Sequence, residues 1–326
     1  MKRFKNILCV VEAGEVGRPA LKRAVKLAEN NQASLTVIDV IPRVTVSMGM
    51  PEGGPTSADL QAAMVSVHEK QLKTLVAAYR SRLDVQTGVL AGVPFLEIIR
   101  EVLRNGRDLV IKTPDTADWM SRLFGSDDMH LLRKCPCPVW LIKSEASKSY
   151  RCIMAAVDVD DNYPPAEQET RQSMNRKILQ IASSLALSEF AELHVVHAWN
   201  APGESIMISG FMNMPEDQIT TYIDQVRQQH EQTMNALMGE VTTRLGKEAL
   251  DYLKPQIHLL KGWAHKEIPA QAQQIEADLV VMGTMARTGI PGFIMGNTAE
   301  TILNQIDCSV LAIKPPGFVT PVTLKD

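Results

Sequence analysis

The chain has 326 residues, 45% of them hydrophobic and 5% aromatic, with a formal net charge of −3. That length suffices for two domains with ordinary cores, and the charge leaves no electrostatic footprint for nucleic acid or an anionic membrane. No apolar run approaches the roughly 18 residues of a membrane span, and Met1 leads straight into strand-like residues, so no targeting segment is expected and the expected location is cytoplasmic.

Asn6–Val11 reads as a short buried strand, and the next helix carries Leu21, Val25 and Ala28 at helical spacing. Leu35–Ile41 is a second strand. An irregular stretch across Val44–Pro55, with Met48 and Met50, precedes a long helix over Ala58–Arg82. The strand Val85–Ala91 follows, then Gly92–Glu97 opening a short helix, then the strands Arg107–Lys112 and Cys137–Lys143. From residue 151 the series repeats: strand Cys152–Asp158, helix with Ile178, Ile181 and Leu185, strand Leu193–Trp199, helix Glu216–Leu245, strand Gln256–Lys261, helix from Gly262–Glu267, strand Ala277–Met282 and strand Cys308–Lys314. Val/Ile/Leu-rich strands alternating with helices predict a parallel sheet covered on both faces and wound right-handedly. The division expected is a first domain over 1–143, a linker over 144–150, a second domain over 151–315 and a tail over 316–326.

Five cysteines at these spacings do not make a disulfide framework. Cys135-Pro136-Cys137 could be a redox or metal pair, but with no second pair nearby it is a poor zinc site, and buried, inert thiols are the reading favoured. His194 and His197 lie three apart on a strand and face opposite ways, so they cannot share a metal. The stretch Ile206–Met214 is unusually apolar for a connection; it is either a flap or contact surface or an extra helix docked on the sheet.

The most informative stretch is Gly283–Thr298, with four glycines between a strand and a helix whose apolar positions are Ala299, Ile302, Leu303 and Ile306. Such a loop offers bare amides at the positive end of a helix dipole, the arrangement that receives a phosphate. The competing reading is a tight connection that needs glycine for positive φ. Arg287 is either a phosphate partner or a solvated loop arginine.

These residues resemble the universal stress protein family in its tandem form, over nearly the whole chain. The family's nucleotide motif is Gly, two residues, Gly, nine residues, Gly and a small polar residue. Gly283, Gly296 and Asn297 match it, while Ala286 replaces the middle glycine. The resemblance implies that Asp158, with Ala156 and Val157 leading to it, contacts the adenosine part of ATP. It also implies that Ala198, Met282, Met285, Ala286, Thr298 and Ala299 line the rest of the site. Asp158 could instead cap its own loop. The fold implied is α/β: two tandem doubly wound parallel five-stranded sheets, Rossmann-like and of the adenine-nucleotide-hydrolase kind. They are expected to pack as a pseudo-dimer through the last strands, Val139–Lys143 and Val310–Lys314.

The first copy is degenerate. Glu12 replaces the aspartate and Gly125-Ser126 keeps only the final pair, while Pro114 lacks an amide and Asp115 would repel a phosphate. A P-loop, a Gly-x-Ser-x-Gly elbow and a clustered Lys/carboxylate set are all absent, so dedicated turnover is not expected. Expected instead is a stress-response protein whose second half binds ATP, with or without Mg2+, as ligand or switch, and with a protein partner or a homodimer open. The alternative is a nucleotide-free interaction protein, or a carrier of an apolar small molecule through its first half.

Overall fold

The structure, a computed structural model, describes residues 4–11, 18–45, 56–114, 126–143, 149–209, 214–285 and 295–324. The first half runs β1 (Asn6–Val10), α1 (Arg18–Asn31), β2 (Ser34–Ile41), α2 (Ser57–Val76), β3 (Val85–Ala91), α3 (Pro94–Asn105), β4 (Leu109–Lys112), α4 (Ser126–Lys134) and β5 (Val139–Leu141). The second runs β6 (Cys152–Ala156), α5 (Pro165–Glu189), β7 (Glu192–Trp199), α6 (Glu204–Ile208), α7 (Glu216–Leu245), α8 (Lys247–Leu253), β8 (Gln256–Lys261), α9 (Ala264–Gln274), β9 (Leu279–Gly283), α10 (Asn297–Leu303) and β10 (Ser309–Ile313).

Local chemistry explains the boundaries. Thr56 and Asp59 form a reciprocal capping box at the start of α2. Pro94 opens α3 and Gly106, at φ 58°, closes it. The two copies share one turn device. Gly92 (φ 156°) and Gly262 (φ 146°) lie under the side chains of Glu97 and Glu267, and an added Cβ would stand 2.8 and 2.4 Å from those glutamates. Only glycine fits under a carboxylate folded back so closely. α8 has no predicted counterpart; α6 overlaps the start of the apolar stretch at 206–214, for which an extra helix is one of the two expectations, and it leaves Ile206 and Ile208 exposed.

The two five-stranded sets join edge to edge. The strands make one ten-stranded sheet in the order β3-β2-β1-β4-β5-β10-β9-β6-β7-β8. Every described pairing is parallel except β5 with β10, which run antiparallel with Leu311 opposite Trp140. The last strand of each half would otherwise be an apolar edge. A two-fold relation between the halves brings like strands together in opposite directions, so the expected packing through these strands becomes direct sheet hydrogen bonding.

The core therefore passes from one half to the other. On one face α1, α2, α5 and α7 cover Ile7, Trp140, Ile153 and Leu311; on the other α3, α4, α9 and α10 cover Leu8, Val139, Met154 and Val310. Across the first face Arg23 of α1 reaches Glu189 of α5, and across the second Arg133 of α4 reaches Glu300 of α10. Tyr150 is fully buried beside Trp140, at 6.1 Å between ring centres. The tail is not detached either: Thr323 accepts a hydrogen bond from Arg100 Nε at 3.4 Å. No described helix is long and apolar enough to cross a membrane.

Candidate functional site

At the carboxyl edge of the second half, the pairing of β6 with β7 and β9 sets Ala156 beside Val196 and Met282. That register gathers Ala156, Val157, Asp158, Ala198, Met282 and Gly283, the strand-end residues singled out from sequence. This edge is where doubly wound sheets bind ligands, at the strand whose two neighbours lead opposite ways.

Asp158 is held from one side. Its Oδ2 accepts from Arg171 Nη1 at 2.9 Å and from the Tyr163 hydroxyl at 2.7 Å. Arg171 is buried, with its guanidinium 3.4 Å from the Tyr163 ring centre and its other arm on Glu167 at 3.2 Å. Asn175 fixes the backbone, accepting from the Asp158 amide at 3.1 Å and donating to its carbonyl at 2.6 Å. Oδ1 takes one long bond, 3.3 Å, from the Asp160 amide, and the side chain is 42% exposed. Oδ2 is gripped by two short bonds, while Oδ1 carries a single long one. Arg171 and Tyr163 escaped the sequence reading, although Arg171 precedes Met174 and Ile178 at helical spacing, a charge on the inward stripe of α5.

A cleft of about 110 Å³ opens beside Asp158, lined in part by Asp160, Asp161, Arg171, Thr233 and Glu240. It is smaller than the roughly 300–1,000 Å³ of small-molecule pockets. Its carboxylates would repel a phosphate.

Neither motif glycine that is described needs positive φ. Gly283 serves close approach: an added Cβ would lie 2.7 Å from Met174 Cε and 2.8 Å from its sulfur. Gly296 is the N-cap of α10 at φ −64°, ψ 145°, and no side-chain hydrogen bond caps it among the described residues. Asn297 and Thr298 behind it are exposed, Ala299 is buried, and Met285 is partly buried. Ala286, Arg287, Glu12 and Gly125 lie outside the described residues; Ser126 is the first residue of α4.

The histidines of β7 do face opposite ways, and each finds a second histidine. His194 Nδ1 lies 2.9 Å from His258 Nε2 on β8, and His197 Nε2 lies 3.0 Å from His230 Nδ1 on α7. Burial holds His197 below the ordinary histidine pKa, with His230 adding to that and the Asp158 carboxylate opposing it. No group of three or more His, Cys, Asp or Glu that could hold a metal ion occurs among the described residues. The lowered His197 pKa has a definite sign. Between its folded value and the ordinary 6.5 the unfolded chain binds more protons, so stability is full above that range and falls as pH drops through it. Thermal melts from pH 7.5 to 5 should show that loss, and His197→Gln should make the slope shallower; an identical slope would contradict it.

The first half fills the same positions differently. Lys112, fourth in β4 as Met282 is in β9, meets Asp128 at 2.9 Å with both side chains buried. Asp128 is third in α4 as Ala299 is in α10. A buried ion pair thus stands where the second half has an apolar floor and a small helix residue. Asp39, placed in β2 as His197 is in β7, receives His68 of α2 at 2.6 Å.

The sequence and the fold are similar to those of known proteins. The pattern of the universal stress protein family matches residues 3–143 and again 170–314. Universal stress protein E of Escherichia coli K12 is 30% identical, over 100% of this chain and 99% of that protein. A solved structure of a functionally unknown protein from Pseudomonas aeruginosa PAO1 is 26% identical with a TM-score of 0.67, covering 96% of this chain and 94% of that one. A universal stress protein from Archaeoglobus fulgidus has the same fold at 16% identity, with a TM-score of 0.61 over 95% of this chain and 98% of that one.

Proposed function

Because the chain belongs to the universal stress protein family, we propose that it is a stress-response protein whose second half binds ATP as a ligand or switch, at the carboxyl ends of β6 and β9. The observation that carries this reading is Asp158, whose Oδ2 is locked by Arg171 and Tyr163 while Oδ1 takes a single long bond on a side chain 42% exposed. A preset carboxylate oxygen suits a ribose hydroxyl, because the cost of orienting it is met within the protein. The residues fit the group at both ends of a nucleoside phosphate. Ala156, Ala198 and Met282 offer an apolar floor, and the start of α10 at Gly296, Asn297 and Thr298, without a side-chain cap among the described residues, offers amides to phosphate oxygens.

Bound ATP would supply charge and bulk at that edge. The chain's own contribution is to orient the ribose through Asp158 and the phosphates through α10. Asp158→Ala should weaken ATP binding by about ten- to a hundredfold, the worth of a hydrogen bond to a charged group. Calorimetric titration checks this beside a thermal melt; unchanged affinity with an intact fold would remove Asp158 from the site.

A second reading rests on the first half. A groove of about 380 Å³ runs along α2, walled by Val44, Leu60, Ala63, Met64, Val67 and His68. Such a lining suits an apolar small molecule rather than a phosphate. Saturable binding of an environment-sensitive apolar dye, lost on Met64→Glu, supports that reading, and no binding rejects it.

A further inference from the structure

Each half ends in a lysine that crosses the seam between β5 and β10. Lys143 reaches Asp307, immediately before Cys308, with 2.8 Å to its carboxylate and 3.3 Å to its carbonyl. Lys314 reaches the carbonyl oxygens of Leu132 and, at 3.2 Å, Arg133, at the end of α4. A buried ammonium is well placed there, at the negative end of a helix dipole. The segments leading from the last helix of each half into its last strand differ. The second half has Ile306 and one cysteine, whereas the first has Cys135-Pro136-Cys137, with the two sulfurs 3.6 Å apart.

All five thiols are free and buried, yet these two differ from the rest. Burial pushes Cys152 and Cys308 up to about 12 and Cys9 higher still. Burial also acts on Cys135, but hydrogen bonds from the thiol and amide of Cys137 and the charge of Lys314 bring it below the ordinary thiol value. Cys137, donating toward Cys135 and buried, lies well above it. Lys314 is itself lowered to about 8, chiefly by burial, against the pull of the two cysteines. One sulfur therefore ionises first, and its neighbour keeps a proton.

We propose that Cys135 and Cys137 form a reversible dithiol–disulfide pair oxidised by a small hydroperoxide, with Lys314 supplying the adjacent positive charge. The Cys135 thiolate attacks the peroxide oxygen: an S–O bond forms, the O–O bond breaks, and the departing oxygen leaves as water or alcohol with a proton that the Lys314 ammonium can supply. Cys137 then attacks the sulfenic sulfur; an S–S bond forms, the S–O bond breaks, and the hydroxide leaves as water with the Cys137 proton. Two thiols and one peroxide give one disulfide, one alcohol or water and one further water. The sulfurs must close from 3.6 Å to about 2.05 Å. Relative exposures of 0% for Cys135 and 7% for Cys137 restrict the oxidant to a small neutral molecule.

The test is a thiol count on the reduced full-length chain after hydrogen peroxide, with free thiols alkylated under denaturing conditions and weighed intact. The expected product has two of its five cysteines unavailable, mapped to Cys135 and Cys137 and restored by dithiothreitol, while oxidised glutathione has little effect. Cys137→Ser should trap Cys135 as a sulfenic acid that dimedone captures. Lys314→Met should slow the oxidation at pH 7 and Lys314→Arg should restore it, each checked for folding by its melt. Five alkylatable thiols after peroxide, or loss spread across all five, overturns the pair; equal rates for the two lysine variants overturn the role of Lys314.

Discussion

Glu189→Ala is expected to cost about 3–5 kcal/mol of stability, because it strips a buried charge of its partner. Glu189 Oε1 accepts from Arg23 Nη1 at 2.7 Å and from Lys26 Nζ at 2.9 Å; the Arg23 and Glu189 side chains are 6% and 4% exposed. Lys26 can turn to water, but Arg23 cannot. It would keep its guanidinium over Tyr150, 3.9 Å from the ring centre, a contact worth about 2 kcal/mol when desolvated, and that does not replace a carboxylate. The pair joins α1 of the first half to α5 of the second, so the loss should appear in a single cooperative transition of the whole chain. Replacing both partners by apolar groups, Arg23→Met with Glu189→Leu, should recover most of the stability. Chemical denaturation of the wild type, Arg23→Met, Glu189→Leu and the double variant in a double-mutant cycle measures the coupling. A single-mutant loss under about 1 kcal/mol, the range of solvated pairs, would mean that water enters this seam.

Gly296→Val should reduce ATP affinity by at least about a hundredfold, some 2.7 kcal/mol. The backbone there, φ −64° and ψ 145°, is a region that valine adopts freely, so the fold should survive. Its methyl groups would occupy the approach to the amides of Asn297 and Thr298. The matching change Gly125→Val should leave binding intact, since the buried pair Lys112 and Asp128 stands in the first half at the positions that Met282 and Ala299 take in the second. Equal losses from the two variants would contradict a single competent half.

The strand series and its duplication were legible because near-continuous Val, Ile and Leu runs recur in the same order, and β3, β8 and α7 fall where the pattern placed them. The joining of the halves into one sheet was half visible. Val139–Leu141 and Ser309–Ile313 advertise apolar edges, but pattern alone cannot say whether edges meet by side-chain packing or by hydrogen bonding. At the candidate site Asp158 stood out, whereas Arg171 and Tyr163, which orient it, follow it at no diagnostic spacing. A glycine-rich loop suggests positive φ; Gly283 instead admits Met174 and Gly296 sits in extended backbone. Long-range partners explain the remaining misses. Nothing near Cys135 in sequence announces Lys314, and nothing near Arg23 announces Glu189.

The most direct measurement is the stoichiometry of ATP on the full chain, by calorimetric titration and by mass spectrometry of nucleotide released on heating. One ATP per chain is predicted, bound about ten- to a hundredfold more weakly in Asp158→Ala, at least about a hundredfold more weakly in Gly296→Val, and with unchanged affinity in Gly125→Val. Two per chain, or none in either assay, would contradict a nucleotide site confined to the second half.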